Sequence, residues 1–189
     1  MPVYQDHGPF RRWLRWLPEH APIDDDSATE ELMYAIETAK RGDAGSGDWV
    51  GLLGFSQGAK VAASLLYDQQ IRLEREGVAE TDYEFAVLLA GRSPLVSLCD
   101  HSRDPACVNP GAISEGFEFE GTSPHVLRLP TIHVHGLADR GLELHRKMLR
   151  IYCDPASSTV VEWEGAHRVP IKTVDVERVV KEIYRVARA

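Results

Sequence analysis

Cysteine is scarce. Three occur in 189 residues, Cys99, Cys107 and Cys153, an odd number with no CxxC spacing. This excludes a disulfide framework and a thiol-based zinc motif, and it reads as reduced thiols in a cytoplasmic protein. Basic charge is in deficit: 21 Lys+Arg against 29 Asp+Glu give a net charge of −8. That balance lacks the broad basic footprint that phosphate backbones demand, so no nucleic-acid partner is expected. No apolar run approaches the roughly 18 residues a membrane-spanning helix needs, so no membrane partner is expected either. The first residues, Met1-Pro2-Val3-Tyr4-Gln5-Asp6-His7, contain no apolar signal core, which points away from secretion. The glycine-rich stretch Gly42–Gly47 lacks the GxxxxGK[ST] order of a phosphate cradle.

What is present is an ordinary globular balance, with 43% hydrophobic and 26% charged residues. The length suits one domain spanning residues 1–189. Near the start, Phe10, Trp13, Leu14 and Leu17 recur at helical spacing and predict a short docking helix with its arginines in water. Ser27-Ala28-Thr29-Glu30 has capping-box spacing and predicts a second helix running to about Arg41. Two short apolar runs then read as buried strands, Trp49–Gly54 and Glu84–Gly91, and Thr131–Gly136 and Thr159–Trp163 read as a third and a fourth strand. Between and after them, Gln57–Glu76, Leu142–Tyr152 and Val174–Arg188 read as helices, the first stopped by Gly77. In the last, Val176, Val179, Val180, Ile183 and Ala187 form the inward stripe. Strands alternating with helices predict an α/β fold with a parallel sheet in sequence order, the Trp49–Gly54 strand at one end. Residues 92–129 are irregular, and a loop of that length inside a domain suggests a lid or a wall of a site.

Gly54-Phe55-Ser56-Gln57-Gly58 fits G-x-S-x-G, placed where a strand ends and a helix starts. A serine there stands in a sharp turn above the sheet. A Cβ on either flanking glycine is expected to clash with the neighbouring strand or helix. The Gln57 backbone N–H and the helix dipole would favour a developing oxyanion. A serine nucleophile needs a base and an orienting acid. Asp139 follows the third strand and His167 the fourth, in the chain order Ser, Asp, His of this fold class. All three fall at the C-terminal edge of the sheet, where open α/β folds place their sites. Asp154 follows a helix and so lies at the wrong end. His133 and His135 share one face of their strand, and with His145 they could offer three metal ligands. No adjacent carboxylate set accompanies them, so they are read as packed and hydrogen-bonded side chains beside the site. Cys99 and Cys107 lack the strand-turn-helix setting of a nucleophile.

The segments Gly54–Ala59, Pro130–Asp139 and Glu164–Pro170, with Gly8-Pro9-Phe10-Arg11-Arg12-Trp13, resemble the fungal-type serine hydrolase family of the α/β-hydrolase superfamily. Relatives in that family include the ovarian-cancer-associated esterase and the trans-acting thioesterases of fungal polyketide clusters. The resemblance implies an α/β-hydrolase fold and cleavage of carboxyl esters or acyl thioesters, with Ser56, Asp139 and His167 as the triad. It also implies a small-molecule substrate, free or held on a carrier protein, and no cofactor or metal. Family members carry a strand, a His-Gly loop, a helix and another strand before the segment matching Gly8. This sequence resembles an N-terminally shortened member, without the loop that supplies a second oxyanion N–H. Phe10, Trp13 and Leu14, with part of 92–129, are expected to line the acyl pocket. The Trp49–Gly54 strand is expected to be an unprotected edge that recruits a second copy of the chain. The rival on the same scaffold is a non-hydrolytic pseudo-enzyme, cyclase or binding protein, favoured by the missing region and opposed by the intact Ser-Asp-His set.

Overall fold

β-Branched and leucine-rich runs too short for helices pair side by side into one sheet. The computed structural model describes residues 12–119, 121 and 126–188. Strands β1 (Gly51–Phe55), β2 (Phe85–Leu89), β3 (Thr131–Gly136) and β4 (Ser158–Trp163) stand in sequence order, and every pairing is parallel. Helix α1 (Asp25–Gly42) precedes β1, α2 (Gln57–Glu76) joins β1 to β2, α3 (Leu142–Tyr152) joins β3 to β4, and α4 (Thr173–Val186) follows β4. Among the described residues no helix is long and apolar enough to cross a membrane.

Strand parity divides the core. Ala86 and Leu88 point to one face and join Ala59, Leu66, Met148 and Tyr152 from α2 and α3. Phe85, Val87 and Leu89 point to the other face and meet Trp163 and Val179, the latter from α4. Helix α1 packs through Leu32 onto the outer side of α2, against Val61 and Leu65.

Several expectations change. The α1 cap is Asp24, not Ser27: its carboxylate accepts the Ser27 N–H and hydroxyl, both at 2.8 Å. The charged acceptor wins, and Ser27 becomes the third residue of the helix rather than its cap. The helix expected over Phe10–Leu17 does not form in its described part, because residues 12–17 have no helical hydrogen bonding. β1 is not buried. Only Gly54 is covered, and Leu53 is 69% exposed because no described strand pairs on that side. The α4 stripe is narrower than its periodicity suggests: Val179 is buried, while Val176 and Val180 stay more than a third exposed. The described part of the 92–129 segment is no open lid. Leu95, Val96, Leu98 and Ala106 are buried in the core, and a one-turn 3₁₀ helix at Asp100–Ser102 breaks the loop.

The two glycines around Ser56 differ in what they permit. A Cβ on Gly54 would fall within 3 Å of the Gly58 carbonyl and the Ala59 nitrogen, both backbone atoms of α2. A Cβ on Gly58 meets nothing nearer than the Trp13 indole nitrogen at 3.8 Å, so the clash expected there is absent. Gly54→Ala should therefore cost about 1–3 kcal/mol through forced backbone shifts. Gly58→Ala should stay within about 1 kcal/mol of wild type, since alanine suits a helix better than glycine. Urea unfolding of the two variants checks the contrast, and equal losses would refute it.

Candidate active site

The turn between β1 and α2 lifts one hydroxyl out of the sheet. Ser56 adopts φ 55°, ψ −114°, in the left-handed half of the map that non-glycine residues rarely enter. Its N–H donates to the Leu89 carbonyl at 2.8 Å, tying the turn to β2. Gln57 opens α2, so its N–H has no carbonyl of its own helix to bond.

Ser56 Oγ lies 2.9 Å from His167 Nε2, and His167 Nδ1 lies 2.7 Å from Asp139 Oδ2. Asp139 Oδ1 accepts the Gly141 N–H at 2.8 Å. Asp139 is buried, whereas the His167 side chain is 37% exposed and reachable from solvent. Two loops hold this geometry. After β3 and β4 they are laced by Leu137 N–H to Trp163 O at 3.0 Å and Ala138 N–H to Gly165 O at 2.9 Å. Gly136 permits that approach, because a Cβ there would sit 2.5 Å from the Gly165 oxygen. The Phe55 ring packs 5.0 Å, centroid to centroid, from His167.

The chain before α1 is pinned by a side chain that sequence reasoning overlooked. Gln57 Oε1 accepts the Trp13 N–H at 2.7 Å and the Leu14 N–H at 3.2 Å, and Gln57 Nε2 donates to the Leu14 carbonyl at 2.9 Å. An amide satisfying both polarities of a bent backbone replaces the helix expected there. Trp13 stays 47% exposed and lines an apolar cavity of about 350 Å³ with Leu52, Phe55, Val61 and Tyr83. Leu14 turns the other way, into the core with Leu32 and Leu65, and does not line that cavity. Phe10 lies outside the described residues. From 92–129, Val96, Leu98 and Val108 pack beside Leu14 rather than around the cavity.

Beneath the site lies a run of imidazoles. The His133 and His135 rings are 5.8 Å apart, His135 and His145 5.7 Å, and His145 and His167 6.3 Å. Strand parity exposes the first pair in the sequence; the approach of His145 to Asp139, 3.7 Å from Nε2 to Oδ2, has no sequence signal. Burial pushes His133 down to about 3, helped by its histidine neighbours. Burial also lowers His135, with the Glu162 charge opposing it. For Asp139, burial alone would raise the pKa, but the Gly141 N–H, the His167 bond and the nearby imidazoles hold it below the usual carboxylate value. Burial pushes the Cys107 and Cys153 thiols up to about 12, far from a reactive thiolate. Among the described residues Asp139, His145 and His167 bring potential metal-ligating atoms within 4.8 Å of one another, a set that overlaps the Ser56-facing histidine.

A serine on a strand-turn-helix bend, with carboxylate and imidazole on later loops of a parallel sheet, is the architecture of the α/β-hydrolase fold. The crystal structure of acyl-protein thioesterase 2 from Zea mays shares that fold, with a TM-score of 0.56 at 16% identity over 92% of this chain and 70% of that one. The chain belongs to the serine hydrolase (FSH1) family, whose model matches residues 3–179. Esterase citA of Monascus ruber is 48% identical over 193 residues, covering 99% of this chain and 74% of its own length. Probable esterase tazC of Aspergillus terreus is 49% identical over 201 residues, covering 98% and 74%.

The buried histidines set a pH dependence of stability. His133 and His135 are neutral when folded, and their pKa values lie below the unfolded 6.5. Below pH 6.5 the unfolded chain binds more protons, so stability is full above that pH and is lost as pH falls toward the folded values. Each such group contributes a slope of up to about 1.4 kcal/mol per pH unit. Urea melts from pH 7.5 to 4.5 should show this decline, and His133→Gln should flatten it. An unchanged slope in that variant would contradict the assignment.

Proposed function

We propose that this chain hydrolyses carboxyl esters or acyl thioesters with Ser56 as nucleophile, His167 as base and Asp139 as orienting acid. The observation that carries the reading is the unbroken hydrogen-bond chain from Ser56 Oγ through His167 to Asp139, at 2.9 and 2.7 Å. His167 Nε2 takes the Ser56 proton as Oγ attacks the acyl carbonyl, and Asp139 stabilises the imidazolium. The Gln57 N–H at the start of α2 holds the oxyanion. The imidazolium then protonates the departing alcohol or thiol. Water, deprotonated by His167, opens the acyl-enzyme and releases the acid with Ser56 restored. Every proton is carried by His167.

The substrate reading is an acyl chain, free or tethered to a carrier protein, in cytoplasmic secondary metabolism such as polyketide release. It is supported by the resemblance to polyketide-cluster thioesterases and by the esterase names of relatives near 48% identity. The cavity lined by Trp13, which begins beside Phe55 and Gly58, is proposed to take the chain, within one domain. One chain-length series tests both parts. Ser56→Ala should lose turnover and fluorophosphonate labelling while melting like wild type. Trp13→Ala should keep acetyl ester turnover and weaken long acyl substrates, by up to about 0.8 kcal/mol for each CH₂ that the indole no longer covers. Full turnover in Ser56→Ala would favour the non-hydrolytic alternatives, and equal Trp13→Ala effects at all lengths would place the indole outside the pocket.

A second copy of the chain is the proposed partner for β1. Its outer edge is unpaired among the described residues, and Leu53, Val50 and Trp49 are exposed along it. A strand edge without charge or proline invites pairing with another strand. Sedimentation of the 189-residue chain should show a dimer that Leu53→Lys weakens. A monodisperse wild-type monomer would overturn this.

A further inference from the structure

Asp139 has a second histidine at its back. His145 sits in the first turns of α3, and its Nε2 lies 3.7 Å from Asp139 Oδ2, the same oxygen that meets His167 Nδ1. The two residues are built into one local unit. Gly141 donates its N–H to Asp139 Oδ1 at 2.8 Å, and its carbonyl accepts the His145 backbone N–H at 3.1 Å. His145 is fully buried, and neither ring nitrogen has a hydrogen-bond partner among the described residues. An unpaired imidazole in a core is destabilising, and hydrophobic packing would fill the same space without that loss. The groups facing it are Asp139 from the turn after β3, His135 from β3, Arg92 from the loop after β2, and His167 from the loop after β4. Only Asp139 among them carries negative charge. Burial, assisted by His135, Arg92 and His167, keeps the ring neutral against the pull of Asp139. A neutral ring has one N–H to place, and the carboxylate is the neighbour that rewards it.

We propose that His145 is a positioning residue for Asp139: neutral and protonated at Nε2, it turns that N–H dipole toward Oδ2 while the Gly141 N–H holds Oδ1. At 3.7 Å the contact is electrostatic rather than a formed hydrogen bond. It steadies the carboxylate against rotation about its last bond and drains charge from the oxygen that His167 uses. The base is then held in register with Ser56, and its protonated form is stabilised less than a bare carboxylate would stabilise it. The inference rests on the proposed roles of Ser56, His167 and Asp139.

The test is the pH profile of kcat/KM for EDTA-treated wild type, His145→Leu and His145→Gln on one short ester. His145→Leu removes the dipole. Its kcat should fall about tenfold with KM nearly unchanged, a smaller loss than a full ångström of misplacement brings. Its acid limb should move up by about half to one pH unit as the carboxylate regains its full charge. The amide of His145→Gln should restore most of kcat and return the limb toward wild type. A purely structural role would leave the limb in place and would not distinguish Gln from Leu, and either result overturns the proposal. Should His145→Leu fail to fold, ¹⁵N shifts of the wild-type imidazoles at pH 7 decide instead. The Nε2–H tautomer at His145 supports the proposal, and the Nδ1–H tautomer overturns it. Ser56→Ala in the same assay separates the two levels: turnover there defeats the hydrolase reading itself, whereas an unmoved His145 profile defeats only the positioning role.

Discussion

Ser56 is held in a backbone conformation that costs on the order of 1–3 kcal/mol, so its surroundings must over-determine it. They do so from three sides. The Leu89 carbonyl takes its N–H, Gly54 lets the α2 backbone press onto β1, and the Gln57 amide locks α2 against the chain at Trp13 and Leu14. Each of these depends on a different part of the fold being in place: β2, the packing of α2 on β1, and the chain before α1. The strained turn is therefore a product of the assembled β1-α2-β2 unit, and the hydroxyl it lifts toward His167 inherits that rigidity.

The other half of the site is a matter of loops held by backbone. Asp139 and His167 sit on separate connections, yet Leu137 and Ala138 bond directly to Trp163 and Gly165. Two glycines make the approach possible: Gly136 beside the Gly165 carbonyl, and Gly165 beside the Trp163 ring. Below them the core departs from an apolar filling. His133 keeps one partner, the Thr131 hydroxyl at 3.1 Å, but His135 and His145 keep none among the described residues. Buried polar groups without partners are rare, and here they are concentrated beneath a carboxylate, where their dipoles act on its charge.

The contrast between the middle of the sheet and its β1 edge follows from what covers each strand. β2 and β3 are buried along their whole length, with helices on both faces; the continuous apolar run of β2 announces it, whereas β3 alternates Ile132 and Val134 with buried Thr131, His133 and His135. β1 carries a similar run but stands at the edge, where Leu53 meets water. Apolar composition reports that a strand expects cover; it does not report whether cover is there.

The pattern of β and α segments, their order in the sheet and the boundaries of α2, β3 and α3 were legible in the sequence, because periodicity and the Gly77 stop are local signals. The G-x-S-x-G turn and the Ser, Asp, His order were legible for the same reason: each is a short motif at a strand end. Helix capping at Asp24 was less so, since two acceptors competed and charge decided. The segment at Trp13 reads as a helix because its apolar spacing is right, while the competing partner, the Gln57 amide, lies 44 residues away. Only the folded chain could decide which way Leu14 turns, that Gly58 is free where Gly54 is not, that 92–129 packs inward, and that His145 stands behind Asp139. Those outcomes depend on distances between segments remote in sequence, and a linear pattern records what each residue can do without recording what it will face.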